Sequence, residues 1–171
     1  MELEDKGGKI LICFDPIIPE RAKILILGSF PSPLSFESGF YYGHPRNRFW
    51  PVLASLLSEE RPISVEQKKL LLIRHQIALW DVLESCEIKG ASDASIRNVV
   101  VNPVAARFAD QKLRAIFFNG AKAEELFKRY QPSMDFPTFR MPSTSPANAA
   151  WSFERLREKW AEILPYLTEE G

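Results

Sequence analysis

Short apolar runs that end near glycine alternate along this chain with segments whose apolar residues recur at helical spacing. The run KILILGSF predicts a strand over Lys23–Leu27 that is buried on both faces, and LRAIFFNG repeats the pattern later in the chain. IALWDVL is typical of a further short strand, and FPTFRMPSTSPAN of a last extended segment. Continuous apolar strands of this kind favour a parallel sheet.

Segments of helical spacing lie between and after these strands. One helix begins near Asn47 in NRFWPVLASLLSE, and another covers about residues 65–74, behind a capping-box pattern that opens at Ser64. AKAEELFKRYQP predicts a helix that stops near Pro132, and AWSFERLREKWAEILPYL predicts the last one. The alternation predicts an α/β fold, a three-layer sandwich whose central, mostly parallel sheet is flanked by helices, in a single domain over residues 1–171.

Composition limits the class of protein. The 171 residues are 46% hydrophobic, which is enough for one buried core, and no apolar stretch approaches the length of a membrane span. The N-terminal MELEDKGGKILICFDP lacks the features of a secretory signal, so we expect a cytoplasmic location. Cys13 and Cys86 are too few for a four-cysteine metal site, and we expect both to be buried thiols.

Charge is balanced over the whole chain but not locally. The 22 basic residues match the 22 acidic residues, so the chain lacks the general basic field of a protein that coats nucleic acid. GHPRNRFW carries Arg46 and Arg48 without a nearby acid. This segment is a local positive spot, or else a pair of solvated side chains.

The longest segment without regular pattern is GSFPSPLSFESGFYYGHPRN, and its density of aromatic residues argues against disorder. It follows the first predicted strand with no helix expected inside it. Ligands of α/β sheets bind outside the carboxyl ends of the strands, where this loop, the stretch after LWDVL and MPSTSPAN all lie. Serines and backbone amides there can hold phosphates, and aromatic rings can stack on a flat base. These loops therefore predict nucleotide recognition.

The segments GSFPS, YYGHPRNRFW, PSTSPAN, LWDVLESCEIKGASDASIRN and IFFNG resemble the uracil-DNA glycosylase superfamily and, more narrowly, its hypoxanthine-DNA glycosylase branch. The resemblance spans nearly the whole chain. It implies a monofunctional enzyme that flips a deaminated base, chiefly hypoxanthine, out of double-stranded or single-stranded DNA and hydrolyses its glycosidic bond. We also expect a monomer without metal or organic cofactor, associated with the nucleoid when it acts.

The resemblance points to Asn47 as the catalytic side chain, because this sequence departs from the family's pattern at the first turn. Mismatch-specific relatives read Gly-Ile-Asn-Pro at the first turn, where the asparagine positions the attacking water. Here the turn is Gly28, Ser29, Phe30 and Pro31, and Phe30 carries no polar group. The relatives' His-Pro-Ala-Asn-Arg-Phe-Trp is matched by residues 44–50, so Asn47 is the best remaining amide. The alternative is that Asn47 only caps the helix behind it.

The base-binding set follows from the same comparison. Tyr42 falls where the family stacks an aromatic ring on the flipped base, with the alternative that it covers the core. Asp81 ends the IALW strand, where uracil-reading relatives place an asparagine, and its carboxylate could accept from N1–H of hypoxanthine. The alternative for Asp81 is a solvent-facing cap. The full predicted base-binding set is Gly28, Ser29, Phe30, Tyr42 and Asp81.

The predicted DNA contacts lie in the two serine-containing loops. The relatives' second motif, Asn-Pro-Ser-Gly, becomes Met-Pro-Ser-Thr at residues 141–144, so the serine persists and the amide is lost. The family's intercalating leucine falls near Ser145. The alternative is that these residues only form turns. The predicted contacts are Ser32, Ser35, Arg46, Ser143, Thr144 and Ser145.

Other readings remain open. His44 could be a general acid, but it could equally be a hydrogen-bonded scaffold residue. The tryptophans Trp50, Trp80, Trp151 and Trp160 are expected in the core rather than at the base. Two rival functions are a glycosylase that prefers uracil or mismatches and a module that binds lesions or nucleotides without chemistry.

Overall fold

The computed structural model describes residues 2–5, 8–88, 96–131 and 134–168. Its strands are β1 (Glu2–Asp5), β2 (Gly8–Ile12), β3 (Ile24–Gly28), β4 (Ile77–Asp81), β5 (Leu83–Ile88), β6 (Ile96–Val101), β7 (Ala115–Asn119) and β8 (Thr138–Met141). Its α-helices are α1 (Pro33–Ser38), α2 (Phe49–Leu56), α3 (Val65–Arg74), α4 (Val104–Arg107), α5 (Ala121–Tyr130) and α6 (Phe153–Trp160), followed by a 3-10 helix (Ala161–Leu167).

A parallel sheet with the strand order β4-β3-β7-β8 forms the centre of the fold. Every residue of β3 and β4 is buried, because helices cover both faces of the sheet and leave neither face for polar side chains. In register, Ile24 of β3 lies beside Ile77 of β4 and Ala115 of β7. The predicted α/β fold with a parallel, helix-flanked sheet is confirmed, and its first strand lies one residue later than expected.

A second sheet, antiparallel and ordered β1-β2-β5-β6, was not predicted. IALWDVL, expected as one strand, contributes to both sheets: β4 ends at Asp81, and β5 begins at Leu83. Between them the Val82 amide donates to the Gly28 carbonyl at 2.8 Å. The chain therefore leaves the parallel sheet beside the end of β3. Residues 89–95 of the expected loop after LWDVL lie outside the described residues.

The helices agree with the sequence except at their ends. The α3 helix has the predicted bounds, and its capping box is present, with Ser64 accepting from the Gln67 amide at 3.1 Å. The α2 helix begins at Phe49, two residues later than expected. The last predicted helix changes to a 3-10 helix at Ala161, because Pro165 lacks the amide that would bond four residues back. The expected stop of α5 near Pro132 lies outside the described residues.

Two smaller expectations were partly wrong. The long loop contains the short helix α1, which Ser32 caps by accepting from the Ser35 amide at 3.2 Å. Cys86 is buried as expected, but Cys13 is only half-buried. Of the tryptophans, Trp151 alone stays partly exposed. No helix in the described ranges is long and apolar enough to cross a membrane.

Candidate active site

The carboxyl ends of three neighbouring strands meet at one edge of the parallel sheet. Gly28 ends β3 and pairs in register with Asp81, which ends β4. Asn119 ends β7 on the other side of β3. A glycine, a carboxylate and an amide thus lie at the edge where α/β sheets bind ligands.

Gly28 leaves no room for a side chain. A Cβ at this position would lie 2.6 Å from Asp81 Oδ1 and 2.8 Å from the Tyr42 hydroxyl. Both distances are too short for any real carbon, so a larger residue would displace one of these groups. The carboxyl and the phenol therefore converge over the backbone of Gly28.

Asp81 is buried, with 3% of its surface exposed, and its Oδ2 has no hydrogen-bond partner among the described residues. Burial raises the pKa of this carboxyl to about 7, because the charged form loses its hydration. The alternative reading of Asp81 as a solvent-facing cap is wrong. A buried carboxyl without a partner marks a place where another group can bind.

Tyr42 joins this pair from the long loop. Its φ of 54° is rare for a residue with a side chain, so the surrounding structure holds it in a strained conformation. One ring face stacks on Phe49, with centroids 4.2 Å apart, and the hydroxyl is buried without a partner among the described residues. Burial, and then the neighbouring Asp81 charge, raises the pKa of the phenol above its usual value, so it stays neutral. The side chain remains partly exposed.

Tyr41, the residue before Tyr42, is buried in the core. It is 2% exposed, and its hydroxyl donates to the carbonyls of Phe14 at 3.1 Å and Asp15 at 2.8 Å. Phe30, in the first turn, is partly buried and packs against Phe36, with centroids 5.6 Å apart. Phe30 therefore offers an apolar surface beside the first turn, and the Ser29 carbonyl accepts from the Leu83 amide at 3.1 Å.

Asn47 both caps and presents an amide. Its Oδ1 accepts from the Phe49 amide at 2.9 Å and from the Thr144 hydroxyl at 2.9 Å. A backbone amide can only donate, so the atom that faces Phe49 must be the oxygen. Asn47 Nδ2 has no hydrogen-bond partner within the described residues, and the side chain is half-buried. Its two N–H groups are therefore available to a ligand.

The structure links Asn119, which sequence reasoning missed, to this amide through Thr144. Asn119 Nδ2 donates to Thr144 Oγ1 at 3.0 Å, and Asn119 Oδ1 accepts from the Thr144 amide at 3.0 Å. The one available signal was an asparagine at the carboxyl end of a predicted central strand, immediately before glycine. That position is also a frequent turn site, so the signal alone was weak.

Two predicted DNA contacts are not accessible. Ser35 is 3% exposed, and its hydroxyl bonds Ser32 Oγ at 3.0 Å and the Gly43 amide at 3.2 Å. Thr144 is 1% exposed, with its hydroxyl committed to the two asparagines. Because a phosphate cannot reach either hydroxyl, both predictions require correction. Their polar groups hold the loops together from inside.

The remaining predicted contacts reach the surface to different degrees. Ser32 and Arg46 are exposed, whereas Ser143 and Ser145 are half-buried. Ser143 Oγ accepts from the Ser145 amide at 3.1 Å, a turn-forming bond. Arg48 does not join them, because its guanidinium donates to the backbone carbonyls of three residues in the second loop: Ser145, Asn148 and Trp151.

His44 fits the scaffold reading. Its Nδ1 accepts from the Arg46 amide at 3.0 Å, which fixes the ring in the loop. Because Nδ1 accepts, the N–H of the ring is at Nε2. Elsewhere in the described ranges, histidine, cysteine and acidic side chains do not gather in the groups of three that a metal ion would need.

The family model for the uracil DNA glycosylase superfamily matches residues 16–168. The chain belongs to the uracil DNA glycosylase superfamily. The match includes both site loops and the central sheet and leaves out β1 and β2 of the second sheet.

Relatives of this superfamily member span almost the whole chain. A protein of Methanosarcina barkeri named hypoxanthine DNA glycosylase is 34% identical over 87% of this chain and 94% of its own length. One of Methanosarcina acetivorans with the same name is 36% identical over 88% of this chain and 95% of its own length. A solution NMR structure of a proposed uracil DNA glycosylase from M. acetivorans superposes with a TM-score of 0.78 at 33% identity, over 92% of this chain and 98% of that one.

Proposed function

We propose that this chain is a single-domain, monofunctional DNA glycosylase that flips a deaminated base, chiefly hypoxanthine, out of DNA and hydrolyses its N-glycosidic bond. Membership of the superfamily and two relatives named hypoxanthine DNA glycosylase support the reaction class and the base. The observation that carries the proposal is a set of three polar atoms without a hydrogen-bond partner among the described residues: Tyr42 Oη and Asp81 Oδ2 at the sheet edge, and Asn47 Nδ2 in the loop before α2. Groups held ready in this way are what a flipped base requires.

Asn47 is the proposed catalytic residue, and its chemistry follows from its fixed orientation. Breaking the glycosidic bond builds positive charge on the sugar and negative charge on the departing base. A preorganised N–H donor stabilises that negative charge more in the transition state than in the ground state. Because its oxygen already accepts two hydrogen bonds, Asn47 acts as a donor, to the base or to the oxygen of the attacking water, rather than as a base.

The base is held by the remaining groups of the edge. The ring of Tyr42 stacks on Phe49 with one face and offers the other face to the base. The Asp81 carboxylate accepts from N1–H of hypoxanthine. A backbone amide near Gly28 or Ser29 donates to O6, and Phe30 supplies an apolar side of the pocket. Because Gly28 has no side chain, the Asp81 carboxyl and the Tyr42 hydroxyl lie together against its backbone.

The proposed DNA surface is smaller than the sequence predicted. It keeps Ser32, Arg46, Ser143 and Ser145 and omits the two buried hydroxyls. With 22 basic and 22 acidic residues, the protein depends on this local surface rather than on net charge. We propose that it acts as a monomer on DNA in the cytoplasm, at the nucleoid, without metal or organic cofactor.

Base release from defined oligonucleotides tests the function. Duplexes and single strands carrying hypoxanthine, uracil, xanthine or only normal bases are incubated with the protein, and product strands are examined before and after alkali. We expect free hypoxanthine and strand breaks that need alkali. Of the three loops at the strand ends, GSFPSPLSFESGFYYGHPRN and MPSTSPAN contain no lysine that could form a Schiff base, whereas the stretch after LWDVL contains Lys89.

Each other outcome of this assay has a definite meaning. Faster release of uracil than of hypoxanthine would make the chain a uracil-preferring enzyme. Strand breaks without alkali would contradict a monofunctional mechanism. Tight binding of lesion DNA with no release of any base would show that the protein is a recognition module. The lack of a polar group on Phe30, where relatives have an asparagine that positions water, would then explain the missing activity.

Tyr42 variants test the stacking role. We expect Tyr42→Ala to weaken binding of hypoxanthine-containing DNA by about 1–2 kcal/mol, within the usual worth of a base–aromatic stack. Tyr42→Phe should bind nearly as well as the parent, because the ring face is kept. Binding titrations and thermal unfolding are measured in parallel. If Tyr42→Ala lowers binding of undamaged DNA equally, the ring supports the loop rather than the base.

A further inference from the structure

We propose that Asn119 and Thr144 are positioning residues that set the orientation of the catalytic amide of Asn47. The inference rests on the proposed function and adds to it a directed chain of hydrogen bonds. These hydrogen bonds run from Asn119 at the end of β7, through the buried Thr144, to Asn47, two residues before α2. Residues far apart in sequence thus control one side chain.

The direction of every bond in this chain is fixed by its first donor. The Thr144 backbone amide can only donate, so the Asn119 atom that faces it, at 3.0 Å, is the oxygen. The other atom of the same amide is therefore nitrogen, and it donates to Thr144 Oγ1 at 3.0 Å. The threonine hydroxyl has one proton, and its remaining neighbour is Asn47 Oδ1 at 2.9 Å. That proton must point at Asn47.

The hydrogen bonds of Asn47 likewise allow only one orientation of its side-chain amide. Its Oδ1 receives the Thr144 hydroxyl and the Phe49 amide together, so a rotation of the amide by half a turn would break two hydrogen bonds. Donors aligned in series also polarise one another, which makes the exposed N–H groups of Asn47 stronger donors. The chain therefore holds and strengthens the donor that the reaction needs.

The burial of Thr144 agrees with this role. It is 1% exposed, although it lies in a loop of Ser and Pro residues, and its backbone carbonyl also accepts from the Arg48 amide at 3.0 Å. The loop after β8 is thereby bonded to both residues that precede α2. A threonine hydroxyl buried in this way cannot contact DNA, and its hydrogen bonds go to its two asparagine partners.

Thr144→Val is the primary test, because it removes the hydroxyl and keeps the shape. We expect single-turnover release of hypoxanthine to fall about tenfold, since a catalytic group that is slightly misplaced loses rate steeply. Thr144→Ser, which restores the hydroxyl, should release base at close to the parent rate. Asn119→Asp is a second, independent variant. Its carboxylate accepts the proton of the Thr144 hydroxyl, so the direction of the hydrogen bonds between Asn119, Thr144 and Asn47 is reversed. This variant should slow release similarly while binding of lesion DNA is kept.

The control that separates positioning from general support is the Asn47→Ala background. Thr144→Val added to Asn47→Ala should cause no further loss of rate, since the group it positions is gone. Equal losses in both backgrounds, or a parent rate in both Thr144→Val and Asn119→Asp, would overturn the inference. Release by the parent and its loss in Asn47→Ala test the proposed function separately.

A spectroscopic readout does not depend on activity at all. The side-chain ¹H–¹⁵N signals of Asn47 are assigned as those missing from Asn47→Ala. We expect them to shift in Thr144→Val and Asn119→Asp and to return to the parent position in Thr144→Ser. Unchanged signals in the first two variants would show that the chain does not act on Asn47, whether or not the protein releases a base.

Discussion

Asn47→Ala is expected to lower single-turnover release of hypoxanthine by about 10²–10³-fold, the usual cost of removing one preorganised donor from a charged transition state. The protein should remain folded, because Asn47 is half-buried and its loss leaves the apolar packing of α2 unchanged. Quenched-flow or gel-based single-turnover assays measure the rate. Circular dichroism and thermal unfolding check the fold.

Asn47→Asp is the matched control for this prediction. The carboxylate can still accept from the Phe49 amide and the Thr144 hydroxyl, so the capping role survives. It replaces the available N–H groups by an oxygen, so the donor is lost. We expect Asn47→Asp to be nearly as slow as Asn47→Ala but more stable. An active Asn47→Asp protein would mean that position 47 activates water as a base, and a parent rate in Asn47→Ala would remove the residue from the mechanism.

Local patterns in the sequence were sufficient for the elements that position Asn47. The strand before Gly28 is a continuous apolar run, and α3 carries its own capping box. For this strand and this helix the signal lies within a few residues of the feature, so neighbouring residues alone decide it. Asn47 was instead assigned from the resemblance, because Phe30 occupies the place of the relatives' asparagine, and its catalytic role stays a prediction.

The antiparallel sheet could not be predicted in this way because its pairing is distant in sequence. Lys9 of β2 lies in register with Ile88 of β5, and neither strand shows a strict alternation of apolar and polar residues. Moreover, the switch from β4 to β5 happens at Val82, inside a run that looks uniform. Strand pairing of this kind depends on which other strand has an unpaired edge in the folded protein, and the local sequence does not contain that information.

The buried hydroxyls were misjudged for a related reason. Serine and threonine in loops rich in proline are usually at the surface, so Ser35 and Thr144 were assigned to phosphates. Their burial depends on partners elsewhere: Gly43 for the serine, and Asn47 and Asn119 for the threonine. A polar residue is tolerated in the interior only when such partners exist, and they become visible only in the folded chain.

Asp81 shows the opposite case, a polar residue that is buried without sufficient partners. Burial raises its pKa from 3.8 to about 7, so between these values the folded protein holds a proton that the unfolded chain releases. The contribution of Asp81 to the free energy of unfolding should therefore be largest below pH about 4, fall as the pH rises towards 7, and stay low above it. The cost above pH 7 is on the order of 4 kcal/mol. A protein that retains such a residue gives up stability for function.

The last prediction tests that function through pH. Because the carboxylate form accepts from N1–H of hypoxanthine, kcat/KM for base release should rise about tenfold from pH 6 to pH 8, through the pKa of about 7. Asp81→Ala should lower the rate at pH 8 by about 10²-fold, the value of a buried hydrogen bond to a charged group. Asp81→Asn cannot ionise, so its rate should not change with pH over this interval.

Stability supplies the independent control for the pH profile. Asp81→Asn should unfold at a higher temperature than the parent at pH 8 and lose the decline between pH 4 and pH 7, because it removes the uncompensated buried charge. A flatter stability profile together with an unchanged kcat/KM profile would mean that Asp81 is buried as described but does not read the base. The base edge would then be read by backbone groups near Gly28 alone.

A site built on matched hydrogen bonds can reject a base with a mismatched edge by about 10⁴-fold. If Asp81→Ala loses this discrimination against adenine, that loss is stronger evidence than the pH profile that the carboxylate selects hypoxanthine.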